Sequence, residues 1–199
     1  RPLLEPAKVR YVGDRVAFVV ARTPEEARAA AELVEVDYEP LPSAVSVEDA
    51  AREGAPRVWD DNAAGNLAFP LMMGNKEATE AAFAKARHTV SVRLYNNRIS
   101  ANAMEPRAAI GDFNVAETSF TLYTSSQNPH GARSILAGAI FKIPETRLRV
   151  ISPDVGGGFG MKGDTYPEDG LVLWASRKLG RPVKWVATRT ESLLGDNHG

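Results

Sequence analysis

The run Asp154-Val155-Gly156-Gly157-Gly158-Phe159-Gly160-Met161-Lys162-Gly163 carries the strongest chemical signal in this chain. Four of its five central residues lack a side chain, so bare backbone N–H groups can approach a ligand that a Cβ would hold off. Successive amides turned toward one point form an anion-binding concavity. Two other clusters offer polar chemistry. Thr124-Ser125-Ser126-Gln127-Asn128-Pro129-His130 contains an amide, Gln127, that both donates and accepts. Met104-Glu105-Pro106-Arg107 contains a carboxylate suited to act as a base or as half of an ion pair with its neighbour Arg107. His88, His130 and His198 show no metal-ligand spacing, and no Ser-His-Asp constellation stands out.

The glycine spacing Gly158, Gly160, Gly163 matches the dinucleotide-binding pattern. A Rossmann loop leads directly into its helix, however, whereas here Thr165-Tyr166-Pro167 intervenes and Lys162 sits inside the turn. A Walker-type loop fails as well, because Lys162 is followed by Gly163 instead of Ser or Thr. A glycine turn with no ligand stays open as the structural alternative.

These residues need elements to position them. A strand over 147–152 and a helix over 168–179 flank the glycine loop, with Gly180 as helix stop, Pro182 beyond it and a strand over 183–187. Strands are expected near 108–113 and over 119–125, turning at Asn114-Val115, and a helix from Asn128-Pro129 to about residue 140. Toward the start, residues 9–21 read as a hairpin around Gly13-Asp14. Thr23-Pro24-Glu25-Glu26 opens a helix with a capping box. Val34, Val36 and Tyr38 alternate with charged residues as a half-exposed strand. Ser46 caps a short helix, Asn75 caps another over 76–86, and residues 89–95 read as a strand. Residues 55–75 show no period and mark a domain boundary, the alternative being a long surface loop. The fold class is α+β, in two pieces.

Bulk numbers narrow the function. The chain has 199 residues, enough for one sizeable core or two small ones. A net charge of −1 without basic blocks argues against nucleic acid. No apolar run approaches the ~20 residues of a membrane helix, and no signal-peptide pattern is present; a cytoplasmic location is the default. Zero cysteine excludes disulfides, thiolate zinc sites and cysteine-ligated iron–sulfur clusters from this chain. Arg1 stands where a Met would begin a protein, and Asn197-His198-Gly199 has no tail-like composition, so a piece of something longer is expected.

Met104-Glu105-Pro106-Arg107-Ala108, Thr124-Ser125-Ser126-Gln127-Asn128-Pro129 and Gly156-Gly157-Gly158-Phe159-Gly160-Met161-Lys162, in this order and spacing, resemble the molybdenum-binding large subunit of the xanthine dehydrogenase/aldehyde oxidase family. Within that family they resemble the branch that includes aerobic carbon-monoxide dehydrogenase large subunits. Val9-Arg10-Tyr11-Val12-Gly13-Asp14-Arg15-Val16-Ala17 and Val34-Glu35-Val36-Asp37-Tyr38-Glu39-Pro40-Leu41-Pro42 resemble the family's hammerhead α/β domain. The resemblance implies the latter part of a hammerhead domain over 1–58, a linker over 59–75, and the first part of a molybdopterin-binding α+β domain over 76–199.

It also implies molybdenum held by a molybdopterin, in its cytosine dinucleotide form. Gln127, Gly157, Gly158, Phe159 and Gly160 would contact this cofactor, with Gln127 (by its amide) and Phe159 (by its backbone) nearest the metal. The implied activity is oxidation of an aldehyde, a heterocycle or a similar small substrate with water-derived oxygen. Electrons would leave through an iron–sulfur small subunit and an FAD-bearing medium subunit. The family's purine enzymes carry Glu after the lysine of the glycine motif; Gly163 stands there instead, which argues against purines. The family's general base lies beyond this chain, so no catalytic residue is assigned, and neither Glu105 nor Glu168 takes that role. The alternative is a non-catalytic binding or assembly module whose glycine loop is purely structural.

Overall fold

The computed structural model describes residues 2–61 and 65–198; residues 62–64, within the expected linker, lie outside the described residues, as do Arg1 and Gly199. The chain divides into two compact units, one formed by residues 1–35 with 98–199 and the other by residues 36–97.

The first unit is built on a four-stranded sheet. β1 (Ala108–Asn114) and β2 (Ser119–Thr124) form an antiparallel hairpin, with Ala109 opposite Thr124 and Asn114 opposite Ser119. β3 (Leu148–Ile151) runs parallel to β2, and β4 (Val183–Val186) antiparallel to β1, giving the order β3-β2-β1-β4. A parallel neighbour requires a crossover, and the helix α4 (Pro129–Ile135) supplies it between β2 and β3. Asn128 caps α4 by accepting the Gly131 N–H at 3.0 Å, and Pro129 fills the first helical position, where a missing N–H does no harm. Instead of ending near residue 140 as a plain α-helix, the helix widens into a π-turn over Leu136–Phe141 and stops at Lys142, which takes a left-handed conformation.

α5 (Pro167–Leu179) lies against the sheet and supplies Val172, Leu173 and Ala175 to a core shared with Ala109, Phe120, Leu122, Leu136, Ala137, Leu148 and Val183. Gly111 sets how closely they pack: a Cβ there would come within 2.5 Å of the Val172 carbonyl carbon and 2.6 Å of the Leu173 nitrogen. α5 ends at Gly180 with φ +65, as the sequence implies. A final helix, α6 (Arg189–Gly195), opens with a capping box in which Thr188 and Glu191 bond each other's backbone N–H.

The first unit also contains α1 (Pro24–Glu32). Thr23 caps it, but the Glu26 carboxylate accepts the N–H of Arg22 rather than that of Thr23, so the expected box closes one residue early. In the second unit Ser46 caps α2 (Val47–Ala50) and Asn75 caps α3 (Lys76–Lys85). The aperiodic stretch before α3 is tied by Asn66, whose amide accepts from Val58 N and donates to the carbonyls of Ala50 and Pro56.

The hairpin expected over 9–21 and the strands expected over 34–38 and 89–95 are absent among the described residues, which run there without a ladder. Residues 9–21 do turn at the expected place, with Asp14 N donating to Tyr11 O. Alternation of apolar residues prepares a face, but a strand exists only when a neighbour accepts and donates its backbone bonds.

Candidate functional site

β2 ends at Thr124, and the chain then turns through Ser125 and Ser126 to Gln127 before α4 begins. β3 ends at Ile151, and the glycine run follows. Because β2 and β3 are parallel neighbours, both segments leave the sheet at the same end, beyond the carboxyl termini of the two strands, the usual place for a ligand in such arrangements. The three clusters singled out in the sequence meet here.

Gln127 and Lys162 bond reciprocally. Gln127 N donates to Lys162 O at 2.9 Å, and Lys162 N donates to the Gln127 side-chain Oε1 at 3.1 Å. The second bond fixes which end of the amide is oxygen and leaves the Nε2 group as an exposed donor with no protein acceptor among the described residues. Gly158 makes room for this side chain, since a Cβ there would fall 2.4 Å from Gln127 Cδ.

Glu105 meets the other end of the loop. Its backbone N donates to Gly156 O at 3.2 Å, and its Oε2 accepts from Gly156 N at 2.8 Å. The same oxygen accepts from Lys162 Nζ at 2.7 Å. Glu105 is therefore the partner of Lys162, not of its sequence neighbour Arg107. Lys162 is only 1% exposed. Burial opposes the charge on Glu105, but the Lys162 ammonium and the Gly156 amide outweigh it and hold the carboxyl below the usual carboxylate range.

Between these anchors the backbone is strained and open. Gly157 and Gly160 have φ +97 and +86, and Phe159 takes φ +51, a conformation that costs a side-chain-bearing residue order of 1 kcal/mol or more. Phe159 is 69% exposed, and its ring folds back over Gly157. Gly156, Met161, Lys162 and Gly163 all donate their N–H groups within the protein. The N–H groups of Gly157, Gly158, Phe159 and Gly160 find no protein acceptor among the described residues. The loop thus presents four consecutive donors beside the Gln127 amide.

Arg107 turns away from this surface into a buried charge cluster. It bonds Glu168 at 3.1 Å and Asp196 at 2.6 Å, lies 3.6 Å over the Tyr166 ring, and shares Glu168 with Arg15 at 2.8 Å. Burial disfavours the charge on Glu168, yet Arg107 and Arg15 prevail and hold it low. Asp169, next in sequence, accepts from Thr124 and from Tyr166 N, and burial pushes it up to about 6. Glu168 is thus structural. The sequence reading missed this cluster, whose members sit far apart in the chain; nothing local signals it.

The sequence profile described as "Molybdopterin cofactor-binding domain" matches residues 59–199, and that of the "Aldehyde oxidase and xanthine dehydrogenase, a/b hammerhead domain" matches residues 1–42. The carbon monoxide dehydrogenase large chain of Hydrogenophaga pseudoflava is 36% identical over 96% of this chain and 25% of its own length. The nicotine 6-hydroxylase large subunit of Paenarthrobacter nicotinovorans is 36% identical over 99% of this chain and 24% of its own. Among solved structures, quinoline 2-oxidoreductase from Pseudomonas putida 86 superimposes with a TM-score of 0.89 at 37% identity, covering all of this chain and 25% of that one. The chain spans about a quarter of the length of the curated relatives it matches. By profile, identity and fold, this chain belongs to the aldehyde oxidase and xanthine dehydrogenase family, within the part of it that carries the molybdopterin cofactor-binding domain.

Proposed function

We propose that this chain forms one wall of the molybdenum cofactor site in the large subunit of a molybdenum hydroxylase, with the hammerhead part over 1–58, a linker over 59–75 and the start of the cofactor domain over 76–199. One observation carries the reading: four consecutive free N–H groups at 157–160 stand beside a glutamine amide whose donor end is left free. Such a set suits a negatively polarised oxo or phosphate-like group, and the missing Cβ atoms let it come close. The residues present therefore fit an oxo-bearing metal cofactor.

Gln127 Nε2 and the backbone of Gly157, Gly158, Phe159 and Gly160 would hold it, with Gln127 and Phe159 nearest the metal. A bound molybdopterin, here in its cytosine dinucleotide form, supplies two-electron oxidation with oxygen drawn from water. The chain's own share is to orient: fixed donors around developing negative charge need no reorganisation during reaction. The substrate is a small aldehyde, heterocycle or similar molecule, and an iron–sulfur small subunit and an FAD medium subunit take the electrons. The relatives support this reading through what their names say they oxidise, carbon monoxide and nicotine among them. No helix among the described residues is long and apolar enough to cross a membrane.

A non-catalytic assembly module is the second reading, and the exposed alternating row Val90, Val92 and Leu94 favours it as a surface awaiting a partner. Gly158→Val in the full-length protein, purified with its partners, separates the two. The new side chain collides with Gln127, so elemental analysis should find molybdenum reduced about tenfold or more with partner binding intact. Unchanged metal content rules out the cofactor reading, and loss of partner binding alone establishes the assembly module.

A further inference from the structure

We propose that Glu105 and Lys162 are positioning residues that close the glycine loop into a ring and so aim its four free amides. The inference rests on reading the loop as a cofactor wall. Four bonds build this arrangement, two on the Glu105 carboxylate and two on Gln127. The Glu105 carboxylate holds the loop's entry at Gly156 N. Lys162 Nζ, at the loop's exit, bonds the same Oε2 atom. The Lys162 backbone meanwhile exchanges two bonds with Gln127. One carboxylate oxygen thus fixes both ends of the 157–160 segment, and one lysine couples that segment to the glutamine amide. A segment whose four residues, 157–160, are each a glycine or at positive φ has many alternative conformations once either end is released. Lys162 is not a ligand contact in this arrangement. Its side chain is 0% exposed and its ammonium already faces a carboxylate.

Burial makes the pair asymmetric, which gives the proposal its test. Lys162→Met leaves Glu105 partly in water, its side chain 37% exposed, where it stays solvated. Glu105→Ala leaves a buried ammonium without a partner, the more damaging case. Glu105→Gln keeps an oxygen that accepts from both Gly156 N and Lys162 Nζ.

The variants are made in the full-length protein with its partners, beside Gly158→Val. Molybdenum content, the electron paramagnetic resonance signal of the reduced metal, and kcat and KM are measured. For Lys162→Met the expected result is retained metal, a shifted resonance signal, and kcat lowered about tenfold with KM within about twofold. Glu105→Gln, which keeps the accepting oxygen, should lose far less and stay within about threefold of the parent. A wild-type signal and kcat in Lys162→Met, while Gly158→Val loses metal, overturns the positioning role and leaves the cofactor wall standing. Metal retained by Gly158→Val overturns the cofactor wall, and the positioning role with it. If Lys162→Met does not assemble, the double variant Glu105→Gln/Lys162→Met, which buries no unpaired charge, decides in the same way: a shifted signal supports the ring, and a wild-type signal overturns it.

Discussion

The two compact units hold their elements together by different means. From residue 36 to 97 no described residue is buried, and α2 and α3 rest on their caps: Ser46 accepting Asp49 N and Asn75 accepting Ala78 N. In the 98–199 part of the other unit, Leu122, Leu136, Val172 and Leu173 are wholly enclosed, and the site loops stand on that core. Helices of four and ten residues are marginal by propensity alone. The contrast shows where rigidity originates: the loop over 156–162 inherits its precision from the sheet and α5 beneath it, while the other unit is held by polar ties such as those of Asn66 without an enclosed core among the described residues.

Gly111→Val should break the packed region outright. The added side chain meets the α5 backbone, which cannot step aside as a flexible side chain would. A cost of about 4 kcal/mol or more is expected, read as lost soluble yield or a collapsed thermal midpoint in the full-length protein. A midpoint within a few degrees of the parent would show that sheet and helix are less tightly coupled than described.

Asp169→Asn tests the same region more gently. The folded-state pKa of Asp169 lies near 6, above its ordinary 3.8, because burial disfavours its charge. Its contribution is therefore complete below about pH 4 and is lost as pH rises through 6, a swing of roughly 2–3 kcal/mol. Glu168 works the other way, since its lowered pKa gives stability that is present above its ordinary value and lost on acidification. Thermal midpoints from pH 4 to 7 should fall less steeply in Asp169→Asn than in the parent; parallel curves would remove Asp169 from the account. Asn75→Ala should have the smallest effect. It costs α3 about 1 kcal/mol, seen as about fivefold faster amide exchange within α3 while the midpoint of the packed region stays put. A shifted midpoint would mean that α3 is not energetically local.

What the sequence disclosed follows the same division. Thr23, Ser46, Asn75, Asn128-Pro129 and Gly180 punctuate helices where expected because capping is settled within a few residues. α6 went unread although Thr188 and Glu191 spell a capping box ahead of Leu193-Leu194. The alternation at 9–21, 34–38 and 89–95 suggested strands, but pairing depends on neighbours that no local pattern supplies. At the site, the motifs around Glu105, Gln127 and Gly158 were legible and do come together. The partner of Glu105 was not, since Lys162 lies 57 residues away and Arg107 only two.

The bond between Arg15 and Glu168 spans 153 residues. A ribosome adding about 5–20 residues per second needs roughly 8–30 s to cover that distance. Throughout that interval Arg15 has no Glu168 to bind, and Phe18 no completed core to pack against. The stretch around Arg15 and Phe18 therefore lacks these docking partners until α5 arrives. Chaperone occupancy during synthesis is expected to concentrate there.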